Sequence, residues 1–160
     1  PAMYEKNTLL KNLKILIKGF QLFKLPIIIT EQVPDKLGKT IIELSSLLDS
    51  FEPIPKSTFS CAGETEFMRI LDRTNAKRII LAGIESHVCV YQTAYDLLKQ
   101  KKNVEIVVDC ISSRTLNNHT IAIDSMKKDG ASLRTIEMLL FSFQKNASGD
   151  NFKKLIKLIK

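Results

Sequence analysis

Short apolar segments alternate with amphipathic helical segments along almost the whole chain, and this order limits the fold more than any other feature. Strands that are separated by helices need crossover connections, so the strands must run parallel, with helices on both faces. The sequence therefore predicts a three-layer α/β/α fold with a parallel, Rossmann-like sheet. We expect one domain over residues 1–160, because that length is near the commonest domain size and a 44% hydrophobic content can build a core.

The boundaries of the predicted elements follow from the spacing of apolar residues. Apolar side chains recur every three or four residues in the predicted helices, whereas the predicted strands are short apolar runs. The helices are predicted at residues 5–24, 40–48, 64–73, 87–101, 118–129, 136–144 and 151–160. The strands are predicted at residues 25–30, 51–55, 76–84, 104–109 and 131–134. Thr135 is the expected N-cap of the helix that follows the last strand.

The charge pattern and the lengths of the apolar runs bear on whether this chain binds nucleic acid or a membrane. The formal net charge is +7, but the lysines lie along the outer faces of predicted helices rather than in one run interleaved with aromatics, so we expect no nucleic-acid partner. No run of roughly 18 apolar residues exists that could cross a bilayer, so we expect no membrane partner and a cytoplasmic location. The segment 151–160 is predicted to pack on the fold or on a second subunit, with membrane-surface binding as the alternative.

The cysteines argue against disulfide bonds and metal sites. Cys61, Cys89 and Cys110 are odd in number, and they form neither a CxxC pair nor a ligand cluster with the two histidines. We therefore expect no disulfide framework, no bound metal and no other cofactor.

Cys89 has the sequence context of a reactive thiol. It follows the strongest predicted strand after a short turn and stands at the start of a helix. A thiol ordinarily ionises near pH ~8.5, and a helix N-terminus or a nearby cation favours the thiolate. Lys56 also lies just past a strand, at the edge where open parallel sheets bind ligands. These residues predict acyl transfer by Cys89; the alternative is a small hydrophobic residue packed between strand and helix.

Four segments resemble the isochorismatase-like hydrolases, a family that includes the nicotinamidases. Residues 83–90, GIESHVCV, are similar to the cysteine motif of that family. Residues 30–40, TEQVPDKLGKT, and residues 56–60, KSTFS, are similar to segments of the isochorismatase domain-containing subgroup. Residues 108–114, VDCISSR, resemble the family's D-A-x-x-S-R segment, with Cys110 where a small residue is usual. The resemblance runs nearly end to end.

The resemblance implies a catalytic triad of aspartate, lysine and cysteine. Cys89 would be the nucleophile, and Lys56 would favour its thiolate and orient the attacked group. The family has a non-proline cis peptide before the cysteine turn, which by position is Ile84–Glu85, and the amides of Glu85 and Cys89 would form the oxyanion hole. A small amide or another small carbonyl or enol ether substrate is also implied, as is assembly into a homo-oligomer.

Four more residues are candidates for the substrate pocket. Glu31 and Gln32 end their predicted strand, and they either line the pocket or support the neighbouring helix and loop. Phe59 is either a pocket wall or a core residue. His87 is either a proton carrier or a residue of the pocket wall or surface. The nicotinamidases hold a metal through an Asp and His cluster in the loop after the second strand, and residues 30–40 contain no histidine.

The triad aspartate has no counterpart by motif. In the family it closes a first strand, in a D-x-Q pattern, and this chain begins just before the helix that follows. Asp35 lies in a predicted loop and Asp109 matches another family segment, so we assign neither; Arg114 is a candidate partner of Asp109 or of a substrate carboxylate. The missing strand would lie near the middle of the sheet, where each orphaned backbone group costs about 1–3 kcal/mol. We therefore expect an N-terminally incomplete copy, or a strand from elsewhere in the gap, and no hydrolase activity if the chain is complete.

Two other classes of function stay open. A non-catalytic relative would keep the fold as a binding or oligomerisation module, and the missing aspartate would suit that role. A nucleotide-binding α/β domain is disfavoured, because no glycine-rich loop follows a predicted strand.

Overall fold

The computed structural model describes residues 2–48 and 50–160. Its helices are α1 Lys6–Leu22, α2 Pro34–Leu37, α3 Ile42–Ser45, α4 Thr65–Arg73, α5 Tyr91–Lys99, α6 Leu116–Lys128, α7 Ile136–Gln144 and α8 Gly149–Ile159. Its strands are β1 Thr30–Gln32, β2 Ile54–Lys56, β3 Ile79–Ile84, β4 Val104–Ser112 and β5 Ser132–Arg134. A 3₁₀ turn covers Cys61–Gly63, and a π-helical turn covers Ser86–Val90. Within the described ranges, every helix is too short or too polar to cross a membrane.

All strand pairs are parallel, as the alternation of strands and helices predicts, but the strands form two sheets. β1 pairs with β2, and β3, β4 and β5 pair in that order. Across the described residues no hydrogen-bonded ladder joins the two sheets, so β1 and β3 each have one paired neighbour. The break between the two sheets lies between β1 and β3, where the missing strand is expected.

Helices cover both faces of the three-stranded sheet, which makes the fold three-layered. Ile106 and Val107 are adjacent in β4, so their side chains point to opposite faces. Ile106 packs in a core with buried residues of α4, α5 and α6, whereas Val107 packs in a second core with residues of α1, α7 and α8. Both residues are fully buried. The two cores confirm the α/β architecture that the sequence predicts.

Some predicted boundaries were wrong, because a strand extends only as far as a neighbour pairs with it. The first strand was expected at residues 25–30 and lies at Thr30–Gln32, where β2 offers three partners. The fourth continues to Ser112, because β3 pairs with its end beyond a register shift after Leu81. The helix expected at residues 40–48 is a single turn, α3. Thr135 is confirmed as an N-cap, since its hydroxyl accepts the Met138 N–H.

Candidate active site

Three candidate residues meet at the carboxyl ends of three strands. Gln32 ends β1 and Lys56 ends β2, and the parallel register places these two residues side by side. Cys89 lies in the π-helical turn that follows β3. The contacts of Cys89 with Gln32 and Lys56 join the strand ends of the two sheets, so the fold brings together residues from three separate parts of the sequence.

The Lys56 ammonium and the Cys89 thiol are direct neighbours, with Nζ 3.7 Å from Sγ. Lys56 is 6% exposed, and Cys89 is half-buried. The ammonium also donates to the carbonyl oxygens of Thr58 and Phe59, both at 2.9 Å, and to Oε1 of Gln32. These bonds hold the lysine head group in one position beside the sulfur.

The oxygen partners of this buried ammonium are uncharged. They are two backbone carbonyls and a side-chain amide. In the described part of the chain Lys56 has no carboxylate within 4 Å. A buried charge without a counter-charge is unfavourable, and an ionised Cys89 sulfur supplies one at contact distance. The Cys89 sulfur is the ionisable group in direct contact with this ammonium.

The loop after β2 is organised around Lys56 by Glu64. One carboxylate oxygen of Glu64 accepts the N–H groups of Ser57 and Thr58 and the hydroxyl of Thr58. The hydrogen bonds from Thr58 are the main cause that lowers the pKa of Glu64, and the charge of Lys56 adds a smaller contribution. Glu64 thereby fixes the turn whose carbonyls bind the lysine.

Gln32 contacts both the catalytic candidates and the loop. Its Oε1 accepts from Lys56 and lies 3.8 Å from Sγ of Cys89, while its Nε2 donates to the carbonyl of Ser57 at 2.9 Å. These two contacts fix which end of the amide faces the sulfur. The contact with Ser57 is of the loop-supporting kind, and the pocket-lining role of Gln32 stays a prediction.

The side chain of Glu31 faces away from this pair, and Phe59 contacts Lys56 through its backbone. Glu31 alternates with Gln32 along β1, so its side chain points to the other face. It is buried, and its Oε1 accepts the N–H of Thr40 at 2.6 Å, which is the loop-supporting role. Phe59 has a 53% exposed side chain and contacts Lys56 through its carbonyl oxygen.

The turn before Cys89 contains a cis peptide bond between Ile84 and Glu85. The carbonyl of Glu85 accepts the N–H groups of Val88 and Val90, and the side chain of Ile84 is 41% exposed. The Glu85 carboxylate accepts from Nε of Arg114 at 2.9 Å. Arg114 thus has an acidic partner in the cysteine turn itself.

The pairing of Arg114 with Asp109 was wrong. Asp109 lies in the middle of β4, where its Oδ1 accepts the N–H of Ile136 at the start of α7. Burial raises the pKa of Asp109. A cavity of about 320 Å³ adjoins Asp109, and neither Lys56 nor Cys89 lines it. Asp109 therefore belongs to the packing of α7 on the sheet.

Two serine–histidine pairs flank the cysteine turn. Nδ1 of His87 lies 2.9 Å from Oγ of Ser113, and Nδ1 of His119 lies 3.0 Å from Oγ of the fully buried Ser86. Burial lowers the pKa of His119, which favours the neutral ring beside Ser86. Sequence reasoning missed His119 and Ser86 as partners, because 33 residues separate them and no motif spans that distance.

Comparison with known proteins agrees with this geometry. The family described as "Isochorismatase domain" matches residues 1–138. Isochorismatase domain-containing protein 2A of Mus musculus is 36% identical, over 91% of this chain and 69% of the mouse protein. Isochorismatase domain-containing protein 2 of Danio rerio is 31% identical, over 99% of this chain and 80% of the fish protein.

A solved structure described as MAR1 ribonuclease from Caenorhabditis elegans superimposes with a TM-score of 0.91 at 34% identity. The match covers 99% of this chain and 81% of the worm chain. From the family match, these relatives and the shared α/β fold, we conclude that the chain belongs to the isochorismatase family and has its hydrolase fold.

Proposed function

We propose that this chain is a cysteine-dependent hydrolase of a small amide or another small carbonyl compound, with Cys89 as nucleophile and Lys56 as its partner. The observation that carries the proposal is the 3.7 Å contact between a buried ammonium and the Cys89 sulfur. The oxygen partners of that ammonium are neutral, so the sulfur is the group at contact distance that balances its charge when ionised.

The reaction would proceed through a thioester. The Cys89 thiolate attacks the carbonyl carbon, the bond from carbon to nitrogen breaks, and the departing amine takes up a proton. Water then attacks the thioester, releasing the acid and restoring the thiol. The ammonium of Lys56 stabilises the thiolate before attack and is placed to orient the carbonyl group. The aspartate that the family resemblance implies is assigned to no residue of this chain.

We assign stabilisation of the tetrahedral intermediate to the amides of Glu85 and Cys89. Both belong to the turn that carries the sulfur, and backbone N–H groups at the start of a helix favour negative charge. Gln32, the exposed ring of Phe59 and the half-buried ring of His87 are assigned to the pocket around the substrate. Gln32 is the member of this group whose side chain touches the sulfur.

Mass spectrometry of the full chain exposed to small amides and aldehydes tests this function. We expect a mass increase on Cys89 that matches an acyl group from an amide, or a reversible hemithioacetal from an aldehyde. The matched control is Cys89→Ser, which keeps the size of the side chain and loses the thiol. Acylation at another residue, or no adduct across the panel, would contradict a catalytic thiol and favour the non-catalytic binding or oligomerisation module.

RNA cleavage is a second candidate, because the worm structure at 34% identity is described as a ribonuclease. The two activities require different groups. Cleavage of an RNA oligonucleotide that survives Cys89→Ser would favour this candidate, whereas turnover of an amide that needs Cys89 favours the hydrolase. Assembly into a homo-oligomer stays a prediction, which sedimentation of the full chain measures.

A further inference from the structure

A second partly exposed thiol, that of Cys61, lies beside the candidate active site. Its Sγ is 3.5 Å from Oγ1 of Thr30, and Sγ of Cys89 is 3.8 Å from Oε1 of Gln32. Thr30 and Gln32 are two residues apart in β1, so their side chains leave the same face of the strand roughly 6.6 Å apart. The two sulfurs therefore contact neighbouring side chains on one face of a short strand.

A hydrogen bond also connects Cys61 with the helical segment that carries Cys89. The N–H of Cys61 donates to Oγ1 of Thr93 at 2.9 Å. Thr93 comes four residues after Cys89, about one turn further along the helical segment that runs from the π-helical turn into α5. Lys56 adds a further link, because its Nζ contacts both the Cys89 sulfur and the carbonyl of Phe59, which is two residues before Cys61.

The third cysteine has a different environment. Cys61 and Cys89 are each half-buried, and neither is in a disulfide within the described residues, whereas Cys110 is fully buried. Burial strongly raises the pKa of the Cys110 thiol, which keeps it protonated and out of reach of solutes. Cys110 is therefore an internal control for any reaction that needs an accessible thiolate.

We propose that Cys61 is a resolving thiol for Cys89, so that hydrogen peroxide converts the two residues reversibly into an intramolecular disulfide. The proposal rests on the proposed function, because it uses the same ionised Cys89 sulfur. The thiolate attacks one peroxide oxygen, the bond between the oxygens breaks, and the departing hydroxide takes up a proton to form water. Cys89 is then a sulfenic acid.

The second step forms the disulfide. The Cys61 sulfur attacks the Cys89 sulfur, the sulfur–oxygen bond breaks, and hydroxide leaves as water with the proton that Cys61 gives up. Two thiols are oxidised and one peroxide is reduced to two waters. A disulfide requires Cα atoms within roughly 7 Å, so the 3₁₀ turn that begins at Cys61 closes onto the cysteine turn in this state. The oxidised protein has no free nucleophile, and a dithiol reductant restores it.

Peptide mapping of the full chain after treatment with one equivalent of hydrogen peroxide tests this inference. We expect a Cys61–Cys89 cross-linked peptide without reduction, an unmodified Cys110, and recovery of both thiols with dithiothreitol. In Cys61→Ser and Cys61→Ala, we expect dimedone to trap Cys89 as a sulfenic acid. Without dimedone, further equivalents of peroxide convert that sulfenic acid to the sulfinic acid, which dithiothreitol does not reverse. Two variants are used because either substitution alone could disturb the turn.

The outcomes separate this inference from the proposed function. Iodoacetamide alkylation of the reduced protein at pH 6.5 reports the reactivity of Cys89 independently of Cys61. Rapid alkylation of Cys89 without a cross-linked peptide, and with the same oxidation product in wild type and both Cys61 variants, overturns the resolving role alone. Slow alkylation of Cys89 overturns both proposals.

Discussion

Lys56 shows how one side chain defines the chemistry of this site. Lysine is rarely buried unless it is paired, yet here its head group lies among three uncharged oxygens and a sulfur. Two of those oxygens come from its own loop, so the ammonium is positioned by the backbone close to it in sequence. The sulfur comes from another strand end, and in the proposed reaction it is the contact that gives the buried charge a chemical role.

Gln32 offers a test of this charge balance. Gln32→Glu keeps the shape of the side chain but places an anion against Lys56 and near the Cys89 sulfur, which lies 3.8 Å from Oε1. The carboxylate competes with the thiolate for the ammonium and repels it, so we expect alkylation of Cys89 at pH 6.5 to slow by about tenfold. Iodoacetamide labelling followed by peptide mapping measures the rate.

The neighbouring residue supplies the control for that substitution. Glu31→Gln changes a side chain on the opposite face of β1, and we expect it to leave the Cys89 alkylation rate unchanged. Equal rates in wild type and Gln32→Glu would contradict the assigned charge balance.

His119 predicts part of the pH dependence of stability. Burial lowers its pKa, so below pH ~6.5 the unfolded chain binds a proton that the folded chain does not. The free energy of unfolding therefore decreases as the pH falls through that value. In urea unfolding at pH 7.5 and pH 5.5, we expect wild type to lose more stability on acidification than His119→Gln. Equal losses would show that the ring is not desolvated.

Gly19 allows helix α1 to approach helix α7 closely, because glycine has no side chain between them. A Cβ at this position would lie 2.5 Å from Cδ2 of Leu140, which is fully buried. Gly19→Ala would raise helix propensity by at most about 1 kcal/mol, whereas forcing a methyl group into a packed core costs about 1–3 kcal/mol. We therefore expect a net decrease in the free energy of unfolding, measured with urea.

The adjacent residue is the matched control for this packing effect. Lys18 is exposed on the same helix, and we expect Lys18→Ala to change the stability by no more than about 0.5 kcal/mol. A stabilising effect of Gly19→Ala would mean that Leu140 yields and that α1 is held elsewhere.

For the molecule as a whole, periodicity predicted the class of fold and most of the helices. The helices expected at residues 64–73 and 136–144 lie almost as predicted, because their apolar faces are set by local spacing. The bounds of β1 were not predictable in this way. A ladder depends on what the neighbouring strand offers, and β2 offers three residues.

In the candidate site, too, single residues were predictable from the local sequence, whereas their contacts were not. The sequence singled out Cys89 and Lys56 from their positions after strands, and the fold brings them together. The contacts of Gln32 with the sulfur and of Arg114 with Glu85 depend on the relative placement of separate elements. Local sequence carries no information on such placements, so the chemistry of single residues was more predictable than their partners.

The rate at which iodoacetamide alkylates Cys89 at pH 6.5, in wild type and in Lys56→Met, tests the central claim most directly. An adjacent ammonium favours the reactive thiolate, so we predict that wild-type Cys89 reacts at least about tenfold faster than Cys61 and that Lys56→Met removes this advantage. Circular dichroism of both proteins shows whether the variant folds. A Cys89 thiol that reacts no faster than Cys61, or that reacts equally in a folded Lys56→Met, would contradict the account.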